Sequence, residues 1–105
     1  MKDRKLYEAH AEICRTLTHP VRLEILDLLR RQEMNVTQLV AAMEMPQGTV
    51  SRHLSSMRSK GVVVTRREGT SVYYRLGSQR IMNAYDEMHK FAMERLAQQT
   101  ELLAA

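Results

Sequence analysis

The sequence predicts a mainly α-helical domain with one β-hairpin, and three features of its patterning carry that prediction. Apolar residues recur at helical spacing over most of the chain. In the middle stand a short helix, a tight corner at Pro46 and Gly48, and a second helix that is mostly polar. Directly after it, "VVVTRREGTSVYYRL" gives two β-branched or aromatic runs around Glu68 and Gly69, the pattern of a hairpin. With 105 residues, the chain suits a single domain covering 1–105. So small a domain leaves much of its surface exposed, and a second copy could bury what one copy cannot.

The first helix is expected from about Asp3 to Leu17, with Leu6, Ala9, His10, Ile13 and Leu17 on one stripe. "THP" breaks it, and Pro20 suits the first turn of a new helix, where its missing N–H costs nothing. That second helix, "VRLEILDLLRR", turns Val21, Ile25, Leu28 and Leu29 inward and Arg22, Glu24, Asp27 and Arg30 outward. Thr37 is the expected N-cap of a short third helix with Leu39, Val40 and Met43 inward. In the fourth helix Val50, Leu54 and Met57 form a narrow apolar stripe, and Gly61 ends it. The hairpin strands pack through Val62, Val64, Val72 and Tyr74, or through the alternate set. A last helix runs from about Gln79 to Leu102 or Leu103, with Ile81, Ala84, Tyr85, Met88, Phe91, Ala92 and Leu96 on one broad face. Met43, Met57, Met82, Met88 and Met93 read as adaptable core.

Charge narrows the function. The net charge is +4, and its distribution says more than its total. Residues 47–75 hold Arg52, Arg58, Lys60, Arg66, Arg67 and Arg75 against Glu68 alone, six positive to one negative, a net of +5. Residues 1–46 balance at seven and seven, and residues 76–105 carry three positive and four negative. A basic region concentrated in the middle third points to a polyanion, most simply nucleic acid. No apolar run approaches the ~20 residues of a membrane span. The start, "MKDRKLYEAH", lacks the apolar stretch of a secretory signal, so a cytoplasmic protein is expected, with no membrane partner.

A short helix, a tight corner and a polar, basic helix make a helix-turn-helix, whose second helix fits a DNA major groove. Thr49, Ser51, Ser55 and Ser56 are short, so the backbone can come close and the hydroxyls can meet phosphates or base edges. Gln47 and Arg52 are long enough to reach bases, where Gln pairs with adenine and Arg with guanine. Arg58 completes the expected contacts on that helix, with His53 either touching a phosphate or packing. The hairpin then reads as a wing, its tip carrying Arg66, Arg67, Thr70 and Ser71 toward phosphate or the minor groove.

The segments "LTHPVRLEILDLL" and "VTQLVAAMEMPQGTVSRHLSSMRSKGVVVTRREGTSVYYRL" resemble the ArsR/SmtB family of bacterial winged-helix repressors. The resemblance covers about residues 13–76 and rests on the Pro-x-Arg second helix, the Ser51-x-His53-Leu54 core of the fourth, and the Arg-Glu-Gly-Thr…Tyr-Tyr-Arg-Leu wing. It implies a winged helix-turn-helix homodimer joined through its first and last helices. It also implies binding of double-stranded DNA at an inverted repeat, release by an inducer, and a place in the bacterial cytoplasm associated with the nucleoid.

Many relatives sense metals, and the positions that ligate in them hold other residues here. A Cys-x-Cys pair before the third helix corresponds to Asn35 and Thr37. A zinc site on the last helix corresponds to Ser78, Arg80, Phe91 and Glu94, of which only Glu94 could ligate. The late second helix has Asp27 and Leu28 where sulfide-responsive relatives have a cysteine. No cofactor or metal is therefore expected. The one cysteine, Cys14, stands four residues after His10 on one helical face; it is the candidate for a thiol-based sensor, against a buried filler thiol, with soft metal or haem at this pair as the third reading.

Other classes fit less well. A winged helix serving as a protein-interaction module would present an apolar or acidic fourth helix. An enzyme would need an acid–base pair, an activated nucleophile or a phosphate-cradling glycine loop, and none is seen. An RNA binder would expose aromatics for stacking, yet aromatics are 5% of the chain.

Overall fold

α1 (Arg4–Leu17) begins where the Asp3 carboxylate accepts hydrogen bonds from the Lys5 and Leu6 amides, a side-chain N-cap. The structure, a computed structural model, describes residues 3–104, with side chains to residue 101. α2 (Pro20–Leu29) has Pro20 in its first turn, and His19 caps it, Nδ1 accepting from the Val21 N–H at 3.1 Å. Ile25, Leu26 and Leu29 are its buried residues. Leu26 was not among the expected core positions, and Val21 and Leu28 are only half-buried. Both α4 and β3 pack on α2, which widens the buried arc beyond a simple stripe.

A two-residue strand, β1 (Met34–Asn35), follows and was not expected, because two residues cannot show alternation. α3 (Val36–Met43) is capped by Asn35 rather than Thr37. The Asn35 side chain accepts from the Gln38 N–H and the Gln38 side chain accepts from the Asn35 N–H, both at 2.8 Å, a reciprocal capping box. Thr37 lies exposed in the first turn. α3 ends at Glu44, whose φ of 54° lies in the left-handed region. α4 (Gln47–Ser59) buries Val50, Leu54 and Met57, the stripe its sequence predicts.

β2 (Val63–Glu68) and β3 (Ser71–Leu76) form the hairpin, and β1 pairs with the other edge of β3, giving an antiparallel sheet of order β1-β3-β2. Glu68 pairs with Ser71, so Gly69 and Thr70 form the two-residue connection, and Gly69 supplies the positive φ, 62°, that such turns need. Val62 and Val63 are buried whereas Val64 is half-buried, so the inward set is neither of the two simple alternations expected. Val62 packs before the strand begins. The register then puts Val63, Thr65 and Arg67 on one face with Val72, Tyr74 and Leu76, and Val64, Arg66 and Glu68 on the other with Ser71, Tyr73 and Arg75.

α5 (Gln79–Ala104) leaves the sheet through Gly77. The Gly77 N–H donates to the Val62 carbonyl at 2.9 Å, and a Cβ there would collide with the Gly61 carbonyl. One core unites the elements, from Ile25 and Leu26 through Leu39, Leu54 and Val63 to Met82. Met43, Met57 and Met82 belong to it. Met88 and Met93, expected in the core, are exposed instead, because nothing in the single chain covers that face of α5. No helix among the described residues is long and apolar enough to cross a membrane.

Candidate nucleic-acid interface

The helix-turn-helix is α3, the Glu44–Pro46 corner and α4. Burial of Val50, Leu54 and Met57 decides which way α4 faces. Gln47, Arg52, Ser55 and Arg58 are exposed, and Thr49, Ser51 and Ser56 are half-buried. At about 100° per residue, Arg52 projects nearly opposite Leu54, about 160° away, and Ser55 to the side, about 100° away. The start of α4 differs from those of α1, α2 and α3: Pro46 gives it no side-chain cap. Its first amides are left to solvent or to an anion.

Charge is not equally available across the basic segment. Arg66 Nε meets the Glu33 carboxylate at 2.9 Å, its Nη1 meets Glu68 at 2.8 Å, and its guanidinium lies 4.7 Å over the Tyr73 ring. Those hydrogen bonds, Glu33 first, raise the Arg66 pKa above its already high range. Lys60 pairs with Glu12, and this hydrogen bond and charge hold the Glu12 carboxyl below its usual range. Among the described residues, Arg52, Arg58, Arg67 and Arg75 form no ion pair. Thr70 is exposed and Ser71 half-buried at the hairpin tip, beside Arg67 on β2.

His53 does not belong with the outward set. Its ring is half-buried toward α2, where Nδ1 accepts from Arg22 Nε at 3.0 Å, and it lies 4.4 Å from the His19 ring. Burial first, then the neighbouring His19, Arg22 and Arg52, lower the His53 pKa. Arg22, expected to point outward, is half-buried as well and donates through Nη1 to the Thr16 carbonyl at 2.9 Å. Sequence reasoning missed this contact, since its two ends lie 31 residues apart.

Cys14 and His10 stand apart from α4. Cys14 is exposed, not a buried filler thiol, and with His10 it lines an apolar groove of about 440 Å³ between α1, α2 and α5. Leu23, Tyr85 and Met88 are among the other residues of its wall. No three His, Cys, Asp or Glu side chains gather as a metal site among the described residues. On α5, Asp86 pairs with Arg30 and His89 stacks on Tyr85, 5.2 Å between centroids.

Known proteins resemble this chain in both sequence and fold. Residues 19–65 match the family described as bacterial regulatory protein, arsR family. The transcriptional repressor PagR of Bacillus anthracis is 39% identical over 75 residues, covering 70% of this chain and 75% of PagR. A transcriptional repressor SmtB homolog of Synechocystis is 41% identical over 78 residues, 74% of this chain but only 59% of its own length. Among solved structures, the homodimeric winged helix-turn-helix DNA-binding domain of a possible ArsR-family regulator from Mycobacterium bovis superposes with a TM-score of 0.81 at 34% identity, covering 93% of each chain. The PagR crystal structure gives 0.73 at 33% identity, over 82% of this chain and 99% of that one.

Proposed function

This chain belongs to the ArsR/SmtB family of winged helix-turn-helix transcriptional regulators, and we propose that it represses transcription as a homodimer that reads an inverted repeat in double-stranded DNA. The carrying observation is the outer face of α4, with Gln47, Arg52, Ser55 and Arg58 exposed on a helix whose N-terminus has no side-chain cap. Gln47 and Arg52 read bases, Thr49, Ser51, Ser55, Ser56 and Arg58 meet phosphates or base edges, and the wing adds Arg67, Thr70 and Ser71. A protein-interaction module is not favoured, since its contact helix would be apolar or acidic.

Dimerisation through α1 and α5 is supported by what the single chain leaves uncovered. Leu6 is 65% exposed on α1, and Met88, Phe91 and Leu96 are 67%, 57% and 65% exposed on α5. Side chains of this kind are seldom left in water in such number. A thiol-reactive inducer would act at Cys14, beside this face, and disturb the pairing that spaces the two copies of α4. A cytoplasmic location follows from the work on DNA.

The test changes Met88 and Phe91 together to aspartate. Sedimentation should show the wild type as a dimer and the variant as a monomer. A duplex selected from a random pool by the wild type should lose its footprint with the variant, because a palindrome needs both readers at fixed spacing. A wild type that sediments as a monomer and still protects both half-sites contradicts the proposal. Repeating the footprint with a mercurial, on wild type and Cys14→Ser, tests release at the thiol: only the wild type should let go.

A further inference from the structure

The contact between Arg22 and His53 joins two parts of the molecule with different tasks. Arg22 belongs to α2 and also holds the end of α1 through the Thr16 carbonyl, 2.9 Å from Nη1. His53 belongs to the helix that faces DNA. Arg22 Nε donates to His53 Nδ1 at 3.0 Å. A guanidinium only donates, so His53 Nδ1 must offer a lone pair and the ring proton must sit on Nε2. The His19 ring is committed in the same way, its Nδ1 accepting from the Val21 N–H at 3.1 Å.

The surroundings of His53 oppose a second proton. From α2 and its cap come Arg22 and His19, and from α4 itself comes Arg52. α1 packs on α4 too, but its Glu12 is taken by Lys60, and its other nearby charge is Arg15. α3 carries no ionisable side chain, and the charges of β2, Arg66, Arg67 and Glu68, lie toward the hairpin end. No carboxylate is among the groups that act on the ring.

We propose that Arg22 and His53 are positioning residues for DNA recognition: their bridge fixes α4 against α1 and α2, and proton uptake at His53 Nδ1 breaks it and weakens specific binding. This rests on the reading of α4 as the DNA-facing helix. With Nδ1 protonated, Arg22 loses its acceptor and two cations face each other at hydrogen-bond distance. α4 then loses its tie to the helices that set the spacing of the two readers. Attraction to random DNA moves the other way, because added positive charge favours phosphate. The ratio of specific to random affinity therefore separates positioning from simple charge. Folding is linked in the same sense. The His53 pKa is lowered from 6.5, so the unfolded chain takes up its proton first, and stability is complete above that pH and declines as pH falls through it.

The experiment measures anisotropy of a duplex selected by the wild type and of a scrambled duplex, from about pH 7.5 down to about pH 4.5 at constant ionic strength, because the lowered His53 pKa puts proton uptake below the ordinary histidine range. The wild-type affinity ratio should fall steadily as the pH drops below the ordinary histidine range, toward a loss of about tenfold once Nδ1 is protonated, the scale of one hydrogen bond to a charged group. His53→Asn puts an amide oxygen near the Nδ1 position, where it still accepts from Arg22 and does not titrate, so its ratio should stay flat. A flat wild-type ratio, or a variant that keeps the wild-type response, overturns the proposal. Long-range proton–nitrogen spectra of the free protein read the bridge without DNA. Proton on Nε2 near pH 7.5 supports it, and proton on Nδ1 overturns it. Failure to select any duplex, with the Nε2 proton in place, overturns the reading of α4 and the proposal built on it, while leaving the bridge itself intact.

Discussion

Arg66 and Arg67 are adjacent in the sequence and end with different work. Strand alternation sends them to opposite faces of the hairpin: Arg66 shares one with Tyr73, Arg67 the other with Val72. Arg66 already faces two carboxylates, Glu33 and Glu68, so a phosphate must compete for it. Arg67 has no ion-pair partner among the described residues. Arg67→Ala should therefore weaken binding to selected and random duplex alike, and should reduce the salt slope by about one per subunit. Arg66→Ala should do less than half of this on a logarithmic scale in the same titration. The reverse order would show that the carboxylates release Arg66 on binding. Part of this was legible beforehand, since Glu68 stands two residues from Arg66 on the same strand face. Glu33 was not, being 33 residues away and brought near only by β1 pairing with β3. Arg22 escaped for a similar reason: helical periodicity assigned it to solvent, and only the packing of α2 on α4 turns it to His53.

Among the elements, the longest patterns were the most readable. The apolar stripe of α4 fixed its burial and therefore its outer face, and the run around Gly69 fixed the hairpin turn. Shorter signals failed. β1 has two residues, too few for any period, and the cap of α3 was assigned to Thr37 although Asn35 and Gln38 already spell a capping box three residues apart. The corner between α3 and α4 carries a local cost. Glu44 holds φ at 54°, where a side chain with a Cβ is strained. Glu44→Gly should relieve this and raise stability by about 0.5–1 kcal/mol in denaturant unfolding, less the entropy glycine adds to the unfolded chain. A destabilised variant would mean that the Glu44 side chain contributes more than its backbone costs.

The whole molecule is extended rather than round. Its radius of gyration is 16.1 Å, against about 13 Å for a compact domain of 100 residues. The excess comes from α5, 26 residues long, and from α1, the two helices whose apolar residues stay exposed. In the proposed dimer a second copy laid on them would bury that surface and fix two α4 helices on one assembly. The positive charge is likewise set on one region: four arginines of residues 47–75, Arg52, Arg58, Arg67 and Arg75, form no ion pair among the described residues, while Lys60 and Arg66 are neutralised internally. The measurement that tests DNA binding by this face most directly is the salt dependence of affinity for a selected duplex. With about three phosphates neutralised per subunit, at about −0.9 each, log K against log salt should have a slope of roughly −5 for the dimer. A slope near zero would contradict the account, because no basic face would then be meeting the phosphate backbone.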